Sequence, residues 1–364
     1  MQRNLFLILI LFLLFAGYEY SQDIYSEQPA ATISFIPDYE SWSINDSTSF
    51  SEFTSIFSAG YNPLKNTSIG IVTRYASVGG DVGSLSGLSD IQLIVNQALP
   101  DENLSFNGGL NIPSGKTKLK PEEFITSRVI SQELFGLRTS NFGQGLNGFL
   151  GVTWLHPLSD VVVIGGGLSY QVKSEYQPLS DTSQKYTPSN EFSVTAGLDI
   201  KLSETQTITG DFTGIFYGSD KVDGKEIFSS GNRIIVNSMY RQFFGFNSLS
   251  FYLLYRNVAL DKLKGIYAVL DNEKTTPNEV YIGVSFNQRF NSKFSMGYGI
   301  FTSIYEETAA YFSGYNLYGL NISPQFTLSP SVSIPVFLKY AFGSAAGKTN
   351  LTNIEIYAGI KFNL

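Results

Sequence analysis

The last eleven residues of the chain alternate between apolar and more polar side chains, and this two-residue period constrains the fold more than any other feature of the sequence. From Ile354 to Leu364 one set of positions is apolar throughout, while the other set includes Glu355, Lys361 and Asn363. Successive side chains of a β-strand point to opposite faces of a sheet, so the pattern predicts a strand with a different solvent on each face. A tilted strand of about ten residues is long enough to cross a bilayer.

The same alternation recurs in several upstream segments, which favours a membrane β-barrel over a soluble β-sandwich. A sandwich rarely contains so many alternating segments of this length. Charged residues make up only 15% of the chain and the mean hydropathy is +0.02. A barrel explains this balance because every second side chain faces lipid and the others face water. The upstream segments begin at Phe192, Ile208, Leu249, Val280 and Val332.

Connections between the predicted strands fall into two alternating length classes, which predicts the number of strands. Outer-membrane barrels have short periplasmic turns and longer external loops. Seven short turns with both termini periplasmic give an all-β antiparallel barrel of about 16 strands, wide enough for an aqueous channel. The alternative is 14 strands, because the first hairpin, 31–44 with 50–62, has the weakest pattern. The short turns lie at 63–66, 100–103, 156–159, 203–205, 246–248, 291–293 and 329–331, and the longer connectors at 79–86, 114–141, 174–189, 219–230, 261–276, 306–313 and 343–350.

The first residues have the pattern of an export signal. Arg3 precedes an apolar run from Leu5 to Ala16, which is too short to span a bilayer as a helix. We expect residues 1–21 to be a signal peptide and residues 22–364 to form a single barrel domain in a bacterial outer membrane. After the signal no stretch approaches 18 apolar residues, so helical membrane spans are excluded. Because the chain has no cysteine, a lipid-anchored N-terminus and disulfides are excluded as well.

One connector differs in kind from the others. Between the fifth and sixth predicted strands, Pro121, Glu122 and Glu123 open a segment with apolar residues at roughly helical spacing, and Gly136 is a candidate stop. This short helical insert carries charges of both signs, so folded inward it would narrow the lumen and act as a selectivity filter. A solvated external lid is the alternative. The candidate pore-constriction residues are Lys116, Lys118, Lys120, Glu122, Glu123, Arg128, Glu133 and Arg138.

Other charged and aromatic residues occupy positions that alternate with the predicted lipid-facing positions of the strands. A charged side chain on the lipid face would destabilise the barrel by roughly 2 to 4 kcal/mol near the membrane midplane. This free-energy cost alone predicts that the charged side chains face inward. Direct contact with a solute does not follow from that position. We interpret the aromatic cluster of Tyr311, Phe312, Tyr315 and Tyr318 as interfacial girdle rather than ligand cage. The candidate lumen-facing residues are Asp199, Lys201, Asp211, Tyr217, Tyr252, Lys339, Glu355 and Lys361.

The sequence offers little that indicates an enzyme, a cofactor or nucleic-acid binding. The glycine-rich segments 109–117 and 343–349 have the wrong spacing for a phosphate-binding loop. His156 is the only histidine and lies in a predicted turn, so neither a usual zinc site nor a histidine-based catalytic group is expected. The net charge of -7 gives no basic footprint for nucleic acid. We therefore expect no catalytic, cofactor or metal site.

Two runs, 87–119 and 143–171, resemble outer-membrane proteins of the phenol meta-pathway type, which are similar to the FadL-like transporters of hydrophobic compounds. The resemblance implies uptake of hydrophobic or aromatic small molecules. FadL-like transporters plug the lumen with an N-terminal hatch, whereas only about nine residues precede the first strand after Gln22, so the insert is expected to do the restricting. The shared G-L-x-D and G-L-x-x-P-x-G-K patterns are Gly87, Leu88 and Asp90, followed by Gly109, Leu110, Pro113, Gly115 and Lys116.

Three functions remain open from the sequence. The first is an outer-membrane channel for passive uptake of small, hydrophobic or aromatic molecules. The alternatives are a general diffusion porin for hydrophilic solutes and a surface-binding barrel with a closed lumen. The expected partners are outer-membrane lipid and lipopolysaccharide, the solute, and the barrel-assembly machinery through the C-terminal strand; no oligomeric state is predicted.

Overall fold

The computed structural model describes residues 29–45, 47–100, 103–133, 135–265, 273–308, 312–345 and 349–364, and the expected signal peptide lies outside these ranges. Within them the main sheet contains 18 strand segments, of which two pairs are halves of single interrupted strands. The result is an all-β barrel of 16 antiparallel strands. The predicted fold class is confirmed, and the alternative of 14 strands is wrong.

The strands are numbered β1 to β16 along the chain. β4 is interrupted at Ser89 and Asp90, and β16 at Gly359. Their bounds are β1 Ala31–Ile44, β2 Thr48–Leu64, β3 Thr67–Gly80, β4 Leu85–Leu88 with Ile91–Ala98, β5 Leu104–Ile112, β6 Asn147–Ser159, β7 Val162–Lys173, β8 Glu191–Ser203, β9 Gln206–Tyr217, β10 Arg233–Phe244, β11 Asn247–Val258, β12 Glu279–Asn291, β13 Phe294–Thr308, β14 Phe312–Ser329, β15 Val332–Ala345 and β16 Thr349–Ala358 with Ile360–Asn363.

The sheet closes on itself because the first strand pairs with the last. In this pairing Asp38 lies opposite Tyr357 and Thr32 lies opposite Asn363. Every other strand pairs antiparallel with its neighbour in sequence. Closure satisfies the backbone hydrogen bonds of the edge strands, which a lipid environment requires because it offers no water in exchange.

Side chains alternate between the two faces of the barrel as predicted. In β1, Asp38 and Glu40 are buried on the inner face, whereas Phe35 and Tyr39 are exposed on the outer face. In β16 the two halves of the C-terminal pattern separate in the same way: Ile354 and Ile356 are exposed, and Glu355 is buried. The outer face thus carries apolar side chains, and the inner face carries the charged ones.

The two ends of the barrel have different connections. One end of the barrel, the turn end, has the short turns. The start of β1 and the end of β16 also lie there, where Ala31 and Leu364 exchange backbone hydrogen bonds. At the loop end, β3, β4 and β13 to β16 extend into the connectors predicted at 79–86, 306–313 and 343–350, so these connectors are shorter than predicted. Glycine and serine there weaken a strand signal, but ladder hydrogen bonds to neighbouring strands still form. The loop end is therefore built mainly from the segments 113–146, 174–190, 218–232 and 259–278.

The predicted helix lies in the connection between β5 and β6. This helix, α1, spans Pro121–Ile130, with proline in its first turn and Glu122 and Glu123 beside its positive N-terminal end. It ends at Ser131, earlier than the candidate stop at Gly136. Gly136 instead occupies a turn with a φ of 61°, in a segment whose side chains contact the barrel wall. None of the helices in the described ranges is long and apolar enough to cross a membrane.

A second, small sheet joins the loops at the loop end. Its strands are Tyr186–Thr187, Asp220–Val222, Lys225–Ser229 and Lys262–Leu263. Two buried carboxylates hold these loops together. Asp220 accepts hydrogen bonds from the Tyr186 hydroxyl and the Ser189 amide, and Asp261 accepts from the Gly231 and Thr275 amides.

Candidate functional site: an insert pinned inside the barrel

The connection between β5 and β6, residues 113–146, is hereafter the insert, and its two ends are clamped by one carboxylate. Asp90 lies in the break of β4, where the backbone leaves the strand. One Asp90 oxygen accepts a hydrogen bond from the Gly115 amide at 3.0 Å, and the other accepts from the Gln144 amide at 2.8 Å. Both ends of the insert are therefore tied to the same point on the wall.

The clamp requires glycine at position 115 because there is no room for a β-carbon, not because of an unusual backbone conformation. A β-carbon at this position would lie 2.0 Å from the carbonyl oxygen of Phe142 and 2.8 Å from the Asp90 amide nitrogen. Backbone atoms cannot move aside as a flexible side chain can. The Asp90 and Gly115 of the two sequence patterns described above are thus direct contact partners, which gives these patterns a structural role.

The middle of the insert packs against the inner wall through apolar side chains. The Phe135 ring makes edge-to-face contacts with Trp42 of β1 and Phe50 of β2, at centroid distances of 5.3 and 4.8 Å. Leu137 and Ile130 are buried in the same cluster. Such aromatic pairs contribute roughly 0.5 to 1.5 kcal/mol each beyond the area they bury. The insert is therefore packed as part of the interior rather than lying over the barrel as a lid.

Arg138 forms the first ionic anchor of the insert. Its guanidinium lies 2.8 Å from Asp38 of β1 and 2.5 Å from Glu355 of β16. Burial by itself would lower the pKa of Arg138, but Glu355 and Asp38 outweigh burial and the pKa is raised. Lys339 of β15 pairs with Glu355 and lies 3.4 Å from Glu40. Arg138 thus stays charged and completes a network across the β1–β16 seam.

Glu133 forms the second ionic anchor, on another part of the wall. Its two carboxylate oxygens lie 2.7 Å from Arg233 of β10 and 2.5 Å from Arg256 of β11. Arg256 also pairs with Glu279 of β12 at 3.0 Å. The side chains of both arginines are almost fully buried, at 1% and 3% exposed.

The two anchors lie on separate parts of the ring. β1 and β16 hold Arg138, whereas β10 and β11 hold Glu133, and the shorter way round the closed ring of 16 between these strand pairs passes β12 to β15. Glu133 and Arg138 are only five positions apart in the chain. A short stretch of the insert is therefore tied to two separate parts of the inner wall.

An apolar stripe lines the inner wall beside the second anchor. Ile215, Ile235 and Leu254 are buried together on β9, β10 and β11. Aromatic rings extend the stripe: Tyr252 contacts Tyr281, and Tyr281 stacks on Phe301, each at 5.6 Å between centroids. The remaining ring, Tyr217, lies under the Arg233 guanidinium at 5.7 Å. This part of the wall is therefore apolar and aromatic.

The structure brings some of the candidate constriction residues together and leaves others apart. Lys116 pairs with Glu123 at 2.6 Å; burial opposes ionisation of Glu123, but this contact keeps its pKa below the usual value. Glu133 and Arg138 form the anchors described above. The remaining four are exposed on the insert: Lys118, Lys120, Glu122 and Arg128.

The candidate lumen-facing residues are spread over the inner wall. Asp199 of β8 and Asp211 of β9 are exposed on the face opposite Leu198 and Phe212. Lys201 pairs with Glu204 near the turn end, at 2.9 Å. Tyr217 and Tyr252 belong to the stripe, Lys339 and Glu355 to the first anchor, and Lys361 is half-buried on β16. Whether any of them contacts a solute stays a prediction.

The sequence did not indicate several residues that define the site. Asp38, Glu40 and Trp42 alternate within β1, so the two-residue period was the signal that could have found them. The same period places Arg256 inward, opposite the apolar positions of its strand, but the contact of Arg233 and Arg256 with Glu133 could not be predicted because Glu133 is at least 100 residues away in the chain. Tyr315 was interpreted as girdle, but it is buried and stacks on Tyr305 at 4.4 Å between centroids. Tyr318 is exposed, whereas Tyr311 and the Phe312 side chain lie outside the described part of the chain.

An apolar pocket lies between the insert and the neighbouring loop. Its walls include Leu119, Phe124 and Phe142 of the insert and Tyr176 and Tyr186 of the loop, and its empty volume is about 880 Å³ with its open mouth included. In the described residues, no group of three or more histidine or carboxylate side chains is placed to hold a metal ion.

Comparison with known proteins extends the description of the fold. No protein-family model matches the chain, and no curated protein matches it. Solved structures do match. A TodX mutant described as a monoaromatic hydrocarbon channel superposes with a TM-score of 0.50 and 8% identity, covering 93% of this chain and 92% of that one. OccK5 of Pseudomonas aeruginosa gives 0.50 and 10%, covering 93% and 99%. CymD, also described as a monoaromatic hydrocarbon channel, gives 0.48 and 12%, covering 93% and 89%.

At these identities the likeness concerns the fold alone. Nearly the whole chain takes part in it, and so does nearly the whole of each neighbour. Together with the closed ring and its apolar outer face, the comparison identifies the fold as that of an outer-membrane β-barrel channel.

Proposed function

We propose that the protein is a passive outer-membrane channel for small apolar or aromatic molecules, with the insert as its restriction. The observation that carries the proposal is a closed barrel of 16 strands whose bore is bridged by a pinned segment beside an apolar stripe. A barrel of this size encloses a channel unless something fills it. No energy source is required, since the solute moves down its concentration gradient.

The stripe favours an apolar solute over a hydrophilic one. A general diffusion porin has no use for Ile215, Ile235 and Leu254 side by side on its inner wall, because wetting an apolar surface costs free energy. The apolar pocket at the loop end would give such a solute a first contact. The description of TodX as a monoaromatic hydrocarbon channel and the resemblance to FadL-like transporters agree with this solute class.

The orientation follows the general plan of such barrels. Short turns and both chain ends belong on the periplasmic side, and the loop end with its small sheet belongs outside. In this orientation the insert lies at the external mouth, where it meets the solute before the stripe does. The signal peptide proposed for residues 1–21 would direct export.

Solute uptake into vesicles tests this function. The barrel is reconstituted into vesicles whose outer leaflet is lipopolysaccharide, which slows direct entry of apolar molecules, and entry of benzyl alcohol is compared with entry of arabinose. We expect benzyl alcohol to enter faster than in protein-free vesicles and arabinose to show little change. Faster entry of arabinose alone would support the hydrophilic porin.

The pinned insert also favours a second candidate, a surface-binding barrel with a permanently closed lumen. In that case neither solute would enter, even after the insert is shortened. The same vesicles therefore separate the two functions.

A further inference from the structure

We infer that Arg233 and Arg256 form a carboxylate-binding site for the solute and that Glu133 of the insert occupies this site in place of the solute. The inference rests on the proposed function and narrows the solute class to an aromatic carboxylate. In the described structure the two guanidinium groups share the Glu133 carboxylate, one oxygen each. A small organic acid offers the same pair of oxygens.

The arginines have more donors than Glu133 uses. Within the described residues, Nε and Nη2 of Arg233 have no hydrogen-bond partner, although the side chain is 1% exposed. Buried donors without partners are rare in folded proteins, and each one requires an explanation, of which a bound ion is one. Planar guanidinium groups bind carboxylates with two parallel hydrogen bonds, so a free carboxylate that approaches from the bore can satisfy them.

Electrostatics favour replacement of Glu133 by another anion rather than simple departure. Glu279 balances the positive charge of Arg256, and Glu133 balances that of Arg233. Without Glu133 the pair would keep one uncompensated positive charge in a buried place, which is strongly unfavourable. An incoming carboxylate removes that penalty, so the insert can leave the wall only when an anion takes its place.

The surroundings indicate the body of the ligand. Tyr217 lies under the Arg233 guanidinium, and Tyr305 lies 5.9 Å from that of Arg256. Ile235 faces Arg256 across the β10–β11 ladder, and Leu254 is two residues before it on the same face. A carboxylate held by the arginines would therefore place its ring on the apolar stripe. Displacement of Glu133 would at the same time free one anchor of the insert, so that the solute itself opens the bore.

The test compares benzoate with benzyl alcohol, which has a similar shape and no charge. Binding to the full-length barrel in detergent is measured by calorimetry, and single-channel current is measured in planar bilayers. Benzoate is expected to bind and to raise the current, and benzyl alcohol is expected to do neither at equal concentration. Equal effects of the two compounds would overturn the inference.

The Glu133→Gln variant removes the internal competitor. Apparent affinity is reduced by the fraction of molecules in which the site is free, so benzoate should bind about tenfold tighter or more to the variant. The basal current should rise, and benzoate should no longer raise it. Asp160→Asn, at an exposed residue in the turn between β6 and β7, also removes one negative charge; it is the matched control and should behave like the unchanged protein.

Arg233→Lys keeps the charge and loses the planar fork, so it should weaken benzoate binding about tenfold or more while the barrel still folds. Unchanged binding in this variant, or equal binding to Glu133→Gln and the unchanged protein, contradicts the inference. If benzyl alcohol enters vesicles but benzoate does not bind, this inference fails and the channel function stands. If neither solute enters and benzoate binds, the channel function fails and the site remains.

Discussion

At the scale of single residues, the two-residue period predicted which face a side chain occupies but not its partner. Glu355 and Lys339 were placed inward by alternation, and both are inward. Their joint contact with Arg138 of the insert could not be predicted, because the register of distant segments is set by tertiary packing. Asp90 and Gly115 were noted only as parts of sequence patterns, and their contact explains the patterns.

Gly115→Ala tests the clamp at the base of the insert. The added β-carbon would overlap the Phe142 carbonyl, so we expect a loss of about 1 to 3 kcal/mol in the local stability of the insert. Hydrogen exchange of the insert amides reports this loss as faster exchange. Gly79→Ala is the control, since its β-carbon would meet nothing within 4 Å. Slow exchange in both variants would show that the Asp90 clamp tolerates the displacement.

At the scale of elements, the insert was predicted to contain a short helix and either to narrow the bore or to form an external lid, and the helix is confirmed. The predicted end of the helix was too late. Apolar residues continue at helical spacing past Ile130, but the helix itself ends there. After the helix, Glu133, Phe135 and Arg138 hold the insert through side-chain contacts with the wall. Helix propensity alone gives no sign of these contacts, since the anchors come from strands far away in the sequence.

Arg138→Gln tests the first anchor. It leaves Asp38 and Glu355 without their shared cation, and breaking a buried ion pair in this way costs about 3 kcal/mol. We expect the insert to loosen at the β1–β16 seam, which single-channel recording would register as larger and noisier current. Arg128→Gln, on the exposed side of α1, should leave the current unchanged. An equal effect of both substitutions would point to net charge rather than to the anchor.

At the scale of the whole molecule, the strand number followed from the sequence because turns and strands alternate with a regular spacing. Three connectors at the loop end were predicted too long, since their glycine and serine residues favour a loop although the strands continue into these connectors. Closure of the ring was also predictable, because open edges are not tolerated in lipid. The attachment of the insert to two parts of the wall was not predictable, since it depends on the contacts of Glu133 and Arg138 with distant strands.

Single-channel conductance before and after replacement of residues 116–141 by a short Gly-Ser linker tests the central claim most directly. The replacement removes both anchors and leaves all 16 strands in place. We predict small, rarely open currents from the unchanged barrel and large, steady currents from the shortened one. Equal currents from the two proteins would contradict the claim that the insert restricts the bore.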